Sequence, residues 1–175
     1  LHFAGCSRSL VRNAKNKDIV MNKAHDRALL KQAIRDRLMA LEVEELTAAK
    51  AHHEEFVRES MLDDREGHDK DDIAVSRENA DLAAAFDAPV FAHHAKIDVI
   101  ENLDFALTDT VQPGAVVRLK DRSLIVAVST SKFDLGGHSY MGISTQSPMF
   151  KAMDGLKAGD KFDLNGRKFT IRDVL

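Results

Sequence analysis

Ile143-Ser144-Thr145-Gln146-Ser147-Pro148, followed a short way on by Gly155-Leu156-Lys157-Ala158-Gly159-Asp160, brackets a short helix between stretches of another kind. Ser147 has the side-chain oxygen an N-cap needs, and Pro148 fits the first helical position, where its missing N–H costs nothing. Gly155 is the natural end of that helix. Downstream, 161–164 and 168–174 read as strands, and Asn165-Gly166 between them is a strong two-residue hairpin signal. Upstream, the alternating or apolar runs at 115–119, 124–128 and 140–143 read as further strands. The C-terminal part is therefore expected to be a small, mostly antiparallel sheet carrying one short helix, with Gly136-Gly137 in a loop.

The chain before residue 109 has another rhythm. Residues 23–62 hold no Pro or Gly, and Leu30, Ile34, Leu38 and Leu41, then Leu46, Ala49 and Phe56, make a narrow apolar stripe on a helix. Phe86, Val90, His93, Ile97, Ile100 and Leu107 follow at spacings of four and three, interrupted at Asp104, and predict a coiled-coil seam on a second helix. Pro89 predicts a kink or local break in it. The polar, Gly67-containing run at 63–72 predicts the turn between them. The fold class is thus α+β: an antiparallel helical hairpin of about 50 Å, then the sheet. The expected divisions are a disordered extension over 1–20 with Met21 as the natural start, an arm over 21–108 with its acidic tip near 63–72, and a β domain over 111–175.

Composition narrows the function. The 175 residues carry 44% apolar and 30% charged side chains, with no Trp and a single Tyr, a balance that favours long solvated helices over a thick interior. A net charge of −3 gives no overall pull on nucleic acid, so such a contact needs a local patch. Between Glu54 and Glu78 ten acids face four bases, whereas from Gln112 onward ten Lys and Arg outnumber six Asp. The basic residues Arg118, Lys120, Arg122, Lys132, Lys151, Lys157, Lys161, Arg167, Lys168 and Arg172 are either a binding patch or a solvated sheet edge. Cys6 is the only cysteine, which excludes an internal disulfide and a Cys-based metal site and fits a reducing cytoplasm. No apolar run reaches membrane-spanning length, and residues 1–20 lack the apolar core of a signal peptide.

Few residues suit catalysis by this chain alone. No P-loop, Gly-x-Ser-x-Gly turn or dinucleotide fingerprint is present, and His138 reads as a loop residue. His52 and His53 on the first helix, and His93 and His94 on the second, point about 100° apart within each pair, so polar seam positions suit them better than metal ligation. The acidic tip offers hard oxygen donors suited to Mg²⁺; the plain alternative is a solvated turn. It is no EF-hand, since the ligand spacing is absent.

Ser76-Arg77-Glu78-Asn79-Ala80-Asp81-Leu82, together with the two C-terminal motifs, resembles the Gre family of bacterial transcription elongation factors. Those proteins carry an Asp-x-x-Glu-Asn-Ala-(Asp/Glu)-Tyr segment at the start of the second coiled-coil helix, and Ile-Ser-x-x-Ser-Pro, a short helix and Gly-x-x-x-Gly-Asp near the end. The resemblance runs from Met21 to the C-terminus. It implies an FKBP-like C-terminal domain that docks on RNA polymerase, and a monomeric cytoplasmic factor with its coiled coil inserted in the secondary channel. It also implies carboxylates that share Mg²⁺ with the polymerase site, where backtracked RNA is cut near its 3′ end, so that the polymerase is the enzyme. Glu78 matches the family's Glu, whereas Val75 stands in place of its Asp and Leu82 in place of its Tyr. The candidate catalytic residues are Glu78, Asp72, Asp71 and Asp81, with Glu78 and Asp72 as transient Mg²⁺ ligands. A factor that occupies the channel without cleaving is the alternative; a prolyl isomerase or a coiled-coil adaptor are readings of other classes.

Overall fold

The computed structural model describes the backbone of residues 7–61 and 69–175, with side chains from Lys23 onward. Two helices, α1 (Ser7–Ser60) and α2 (Lys70–Asn102), precede seven strands and one further helix. These are β1 (Val116–Arg118), β2 (Ser123–Ala127), β3 (Phe133–Leu135), β4 (His138–Ser144), α3 (Pro148–Met153), β5 (Lys161–Leu164), β6 (Arg167–Thr170) and β7 (Asp173–Val174). The chain forms two compact units. One combines α1 up to Arg35 with Asp104–Leu175; the other is Asp36–Leu103. Of the extension expected over 1–20, residues 7–20 belong to α1, and residues 1–6 lie outside the described ones.

In the helical unit the partners' numbers run in opposite directions. Ser76 Oγ donates to the carbonyl of Ser60, Phe86 stacks on Phe56, His53 meets Asp87, and Glu42 meets His93. The two helices therefore form an antiparallel hairpin. On α2 the inward positions are Ser76, Asn79, Ala83, Phe86, Val90, His93, Ile97 and Ile100. The expected seam is thus prolonged toward the turn at the same alternation of three and four. Its outer part was hidden in the sequence because Ser76, Asn79 and Ala83 are small or polar. Leu107, the last expected seam residue, lies beyond the end of α2 and is exposed. The helix runs unbroken through Pro89, so of the kink or break expected there the break does not occur. On α1 two charged residues, Lys31 and Glu42, are buried in place of their apolar neighbours Leu30 and Leu41.

In the other unit, β3, β4, β2, β1 and β7 lie side by side, and β5–β6 is a separate hairpin. The sheet is antiparallel except where β2 and β4 run parallel, Ser123 opposite Tyr140 and Ala127 opposite Ser144. That exception arises because β3 folds back on the outer edge of β4, so β4 enters beside β2 in the same direction. Gly136 and Gly137, expected as a loop, are the two-residue turn of the β3–β4 hairpin, both at positive φ. Asn165 and Gly166 take the same geometry between β5 and β6, as their sequence predicts. Val117, Leu124, Val126 and Ile143 pack with Phe150 and Met153 of α3 and with Phe162 and Ile171 to form the core.

The first part of α1 is fastened to the C-terminal strand of this unit. Arg27 donates to the carbonyl of Val174 at 2.6 Å and to Asp173 Oδ1 at 3.2 Å. Lys31 Nζ, 1% exposed, donates to the carbonyls of Ala106 (2.6 Å) and Leu175 (3.0 Å). Burial lowers the Lys31 pKa from 10.5 to about 8, against the attraction of Asp104 and with the repulsion of Arg27. A neutral amine still has the two N–H groups these carbonyls require. The folded form thus releases a proton that the unfolded chain keeps, so stability is lowest below pH 8 and rises through the window between the two pKa values. Urea unfolding is expected to gain about 2 kcal/mol between pH 8 and pH 10, and Lys31→Met to remove that gain. An equal gain in the variant would place the titrating group elsewhere.

Candidate functional site

The site is the end of α2 nearest the turn. Asp69 caps the helix: its side chain accepts from the backbone N–H groups of Asp71 (2.8 Å) and Asp72 (2.9 Å), while Asp72 Oδ2 accepts from the N–H of Asp69 at 3.1 Å. This reciprocal capping box starts α2 sharply, and the carboxylates favour the positive end of the helix dipole. Asp71 and Asp72 thereby become ordinary first-turn residues. Within α2 neither of them is brought beside Glu78.

Helix geometry then sets the relations among the four candidates. Asp71 and Glu78 share one stripe but lie about 10 Å apart along the axis. Asp72 sits roughly 120° around the helix from Glu78, and one of its oxygens is engaged in the cap. Asp81, three residues after Glu78, lies on nearly the same face. All four side chains are exposed. Among the described residues no three His, Cys, Asp or Glu gather as a cation site. Asp63, Asp64 and Glu66 of the acidic run lie outside the described residues.

The motif around Glu78 divides by direction. Asn79 Nδ2 donates to the carbonyl of Glu59 at 3.3 Å, one helical turn beyond the Ser76 bond to Ser60, so these two polar residues fasten α2 to α1. Glu78 points outward between exposed Val75 and Leu82 on its own stripe. An anchoring Asn next to a presented Glu is an arrangement that fixes where a carboxylate stands without burying it.

The histidines take separate partners. His52 stacks on Phe86 at 5.4 Å, His53 lies 3.3 Å from Asp87, His93 pairs with Glu42, and His94 is exposed. Further on, the C-terminal motifs do structural work. Ser147 Oγ accepts from the N–H of Phe150 at 3.1 Å. The 155–160 loop receives the incoming chain through Val111 N–H to the Leu156 carbonyl (2.8 Å) and Gly155 N–H to the Val111 carbonyl (2.9 Å). Lys157 donates to Asp109 at 3.1 Å and, with the Thr110 hydroxyl, holds that carboxyl below its ordinary pKa.

Of the candidate basic residues, Arg118 pairs with Asp173 and Lys157 with Asp109. Lys120, Arg122, Lys168 and Arg172 gather around a cleft of about 220 Å³ beside the β1–β2 turn. The strand register brings them together, and no spacing in the sequence announces it. Tyr140, Ser139 and Lys132 also meet in a cleft that the sequence did not signal. Among the described residues, no helix is long and apolar enough to cross a membrane.

The fold and site define a helical hairpin ending in exposed carboxylates, and a mixed-sheet unit with a partly basic surface. No family profile matches the chain, and no curated protein matches it in sequence. Solved structures similar to it include the following two. One is the GreA factor homolog 1 (Gfh1) of Thermus thermophilus, 22% identical over 81% of this chain and 94% of that one, with a TM-score of 0.30. The other is a structure of the transcription factor Gfh1, 23% identical over 80% and 92% of the two chains, also at 0.30. A likeness of this size says nothing about activity.

Proposed function

We propose that the protein is a Gre-like accessory transcription factor. It binds RNA polymerase, places its helical hairpin in the secondary channel and promotes cleavage of backtracked RNA by the polymerase. The observation that carries this reading is the divided motif at the end of α2: Asn79 holds the helix to the Glu59 carbonyl while Glu78 faces solvent. Glu78 with Asp81, and Asp71 farther along, supply hard oxygen donors of the kind Mg²⁺ accepts together with water. When bound in the polymerase site, the metal ions supply charge stabilisation to the attacking and leaving oxygens of the RNA phosphodiester. This chain's part is to hold Glu78 in place on a rigid helix. The FKBP-like reading of the sheet unit, with docking at the channel rim, belongs to the same proposal.

A second reading has its own support. Val75 and Leu82 flank Glu78 on its stripe, and Asp72 is committed to the cap, so only a thin set of acids is presented there. A factor of this kind occupies the channel and regulates polymerase without cutting. The deciding experiment adds the protein to RNA polymerase stalled in a backtracked complex with Mg²⁺ and follows RNA length over time. Shortened RNA is expected with the native chain, and a rate at least tenfold lower with Glu78→Ala. Co-purification with polymerase but no cleavage would leave the second reading standing, and failure to bind polymerase would remove both.

A further inference from the structure

The turn between β1 and β2 carries Asp121 and Arg122, and beside it opens a cleft of about 270 Å³ that lies wholly within the sheet unit. Its chemistry is uneven. Arg122 and Lys132 are both exposed at its rim, and among the described residues neither side chain makes an ion pair. With Asp121 as the one carboxylate present, the cleft keeps a net charge of one positive unit. Met141 contributes apolar surface, and the buried Tyr140 ring is stacked on Phe133 at 5.9 Å.

Two hydroxyls in this wall are orphaned. Tyr140 is 1% exposed, and among the described residues neither its hydroxyl nor Ser139 Oγ has a hydrogen-bond partner. A buried unpaired hydroxyl is destabilising, and such groups are rare enough that two lining one cleft need a reason. The fold gives none. Phenylalanine at 140 would stack on Phe133 as well and would leave no unpaired hydroxyl at that position.

We propose that this cleft binds a small organic acid. Its carboxylate meets Arg122 and Lys132, its apolar body lies against Met141, and a small shift of the wall lets the buried Tyr140 and Ser139 hydroxyls donate to its oxygens. Arginine suits a carboxylate because its planar fork forms two parallel hydrogen bonds. The volume corresponds to roughly nine waters at about 30 Å³ each, more than one bridging water needs. It falls just under the range of about 300–1,000 Å³ usual for drug-sized ligands, so a compact monoanion fits best. The site is separate from the end of α2 and does not depend on the polymerase reading.

The single Tyr and the absence of Trp make the intrinsic fluorescence of the full chain a report on Tyr140 alone. The probes are cyclohexanecarboxylate, its neutral analogue cyclohexanemethanol, and inorganic phosphate, none of which absorbs with tyrosine. A saturable fluorescence change is expected with the carboxylate, at least tenfold weaker binding in Arg122→Gln and in Lys132→Gln, and no saturation with the alcohol. Backbone amide shifts of Ser123 and Ser139 are expected to follow the same curve. In Tyr140→Phe, read by those shifts, binding should weaken severalfold while the melting temperature holds or rises, which a purely structural hydroxyl would not produce. No saturation with the carboxylate, an equal response to the alcohol, or unchanged affinity in Arg122→Gln overturns the proposal. Phosphate binding as tightly as the carboxylate overturns the organic body.

Discussion

Glu42→Ala is expected to lower the stability of the helical unit by about 4 kcal/mol. Glu42 is 2% exposed, and its two oxygens meet His93 Nδ1 at 2.8 Å and Lys96 Nζ at 3.2 Å. Removing the carboxylate leaves a half-buried ammonium and a ring N–H without their acceptor, and it also opens a small void between the helices. Urea unfolding of the full chain, followed by circular dichroism, measures the loss. The triple variant Glu42→Leu, His93→Leu, Lys96→Met removes all three partners together and is expected to be as stable as the native chain, because a well-packed apolar contact replaces the buried charges. A cost below about 1 kcal/mol for Glu42→Ala would mean that water takes over from the carboxylate.

The same cluster bears on function. Polar seam residues fix coiled-coil register at some expense in stability. A slip of α2 by one heptad moves everything on it by about 10 Å, Glu78 included. The triple variant thus separates two properties: unfolding should be near native, while the cleavage proposed to depend on Glu78 should fall if register is what the cluster provides.

Gly142→Ala is expected to cost about 3 kcal/mol, a fall of roughly 10 °C in melting temperature. A Cβ at this position would collide with the carbonyl oxygen of Val128 and come within 2.9 Å of Thr130 Oγ1. Neither neighbour is free to retreat. The Gly142 N–H donates to Thr130 Oγ1 at 2.9 Å, the Thr130 N–H donates to the Gly142 carbonyl at 3.2 Å, and β4 is held on both sides by β3 and β2. The control is Gly137→Ala, where a Cβ meets nothing within 4 Å among the described residues and only the positive φ of 76° is strained, at a cost of about 1 kcal/mol. Equal melting temperatures for the two variants would show that the 128–130 segment moves aside.

The candidate site was partly legible. Glu78 could be picked out by its motif, and helical spacing was enough to place Asp81 on nearly its face. The roles of Asp71 and Asp72 were not legible, because an acidic run reads alike whether it forms a loose turn or caps a helix. Only Asp69, in extended conformation just before α2, with its bonds to Asp71 and Asp72, separates the two. Val75 and Leu82 were visible as departures from the Gre pattern, but their exposure beside Glu78 was not.

By itself the sequence determined the local elements of this protein. Ser147 and Pro148 started α3, Asn165 and Gly166 turned β5 into β6, and the alternation of three and four aligned most of the α2 seam. These signals act between residues a few positions apart, through caps, backbone dihedrals and helical periodicity, so they survive without knowledge of the rest of the chain. Tertiary structure alone decided the parallel pairing of β2 with β4, the short strand β3, the burial of Lys31 and Glu42, and the meeting of Arg122, Lys132 and Tyr140 at one cleft. Each depends on groups far apart in the chain. Lys31 is buried because two backbone carbonyls distant in sequence accept its protons, and Glu42 because His93 and Lys96 lie across from it. A charged residue is buried only where distant partners offset its desolvation, and nothing in its own stretch of sequence announces where those partners will be.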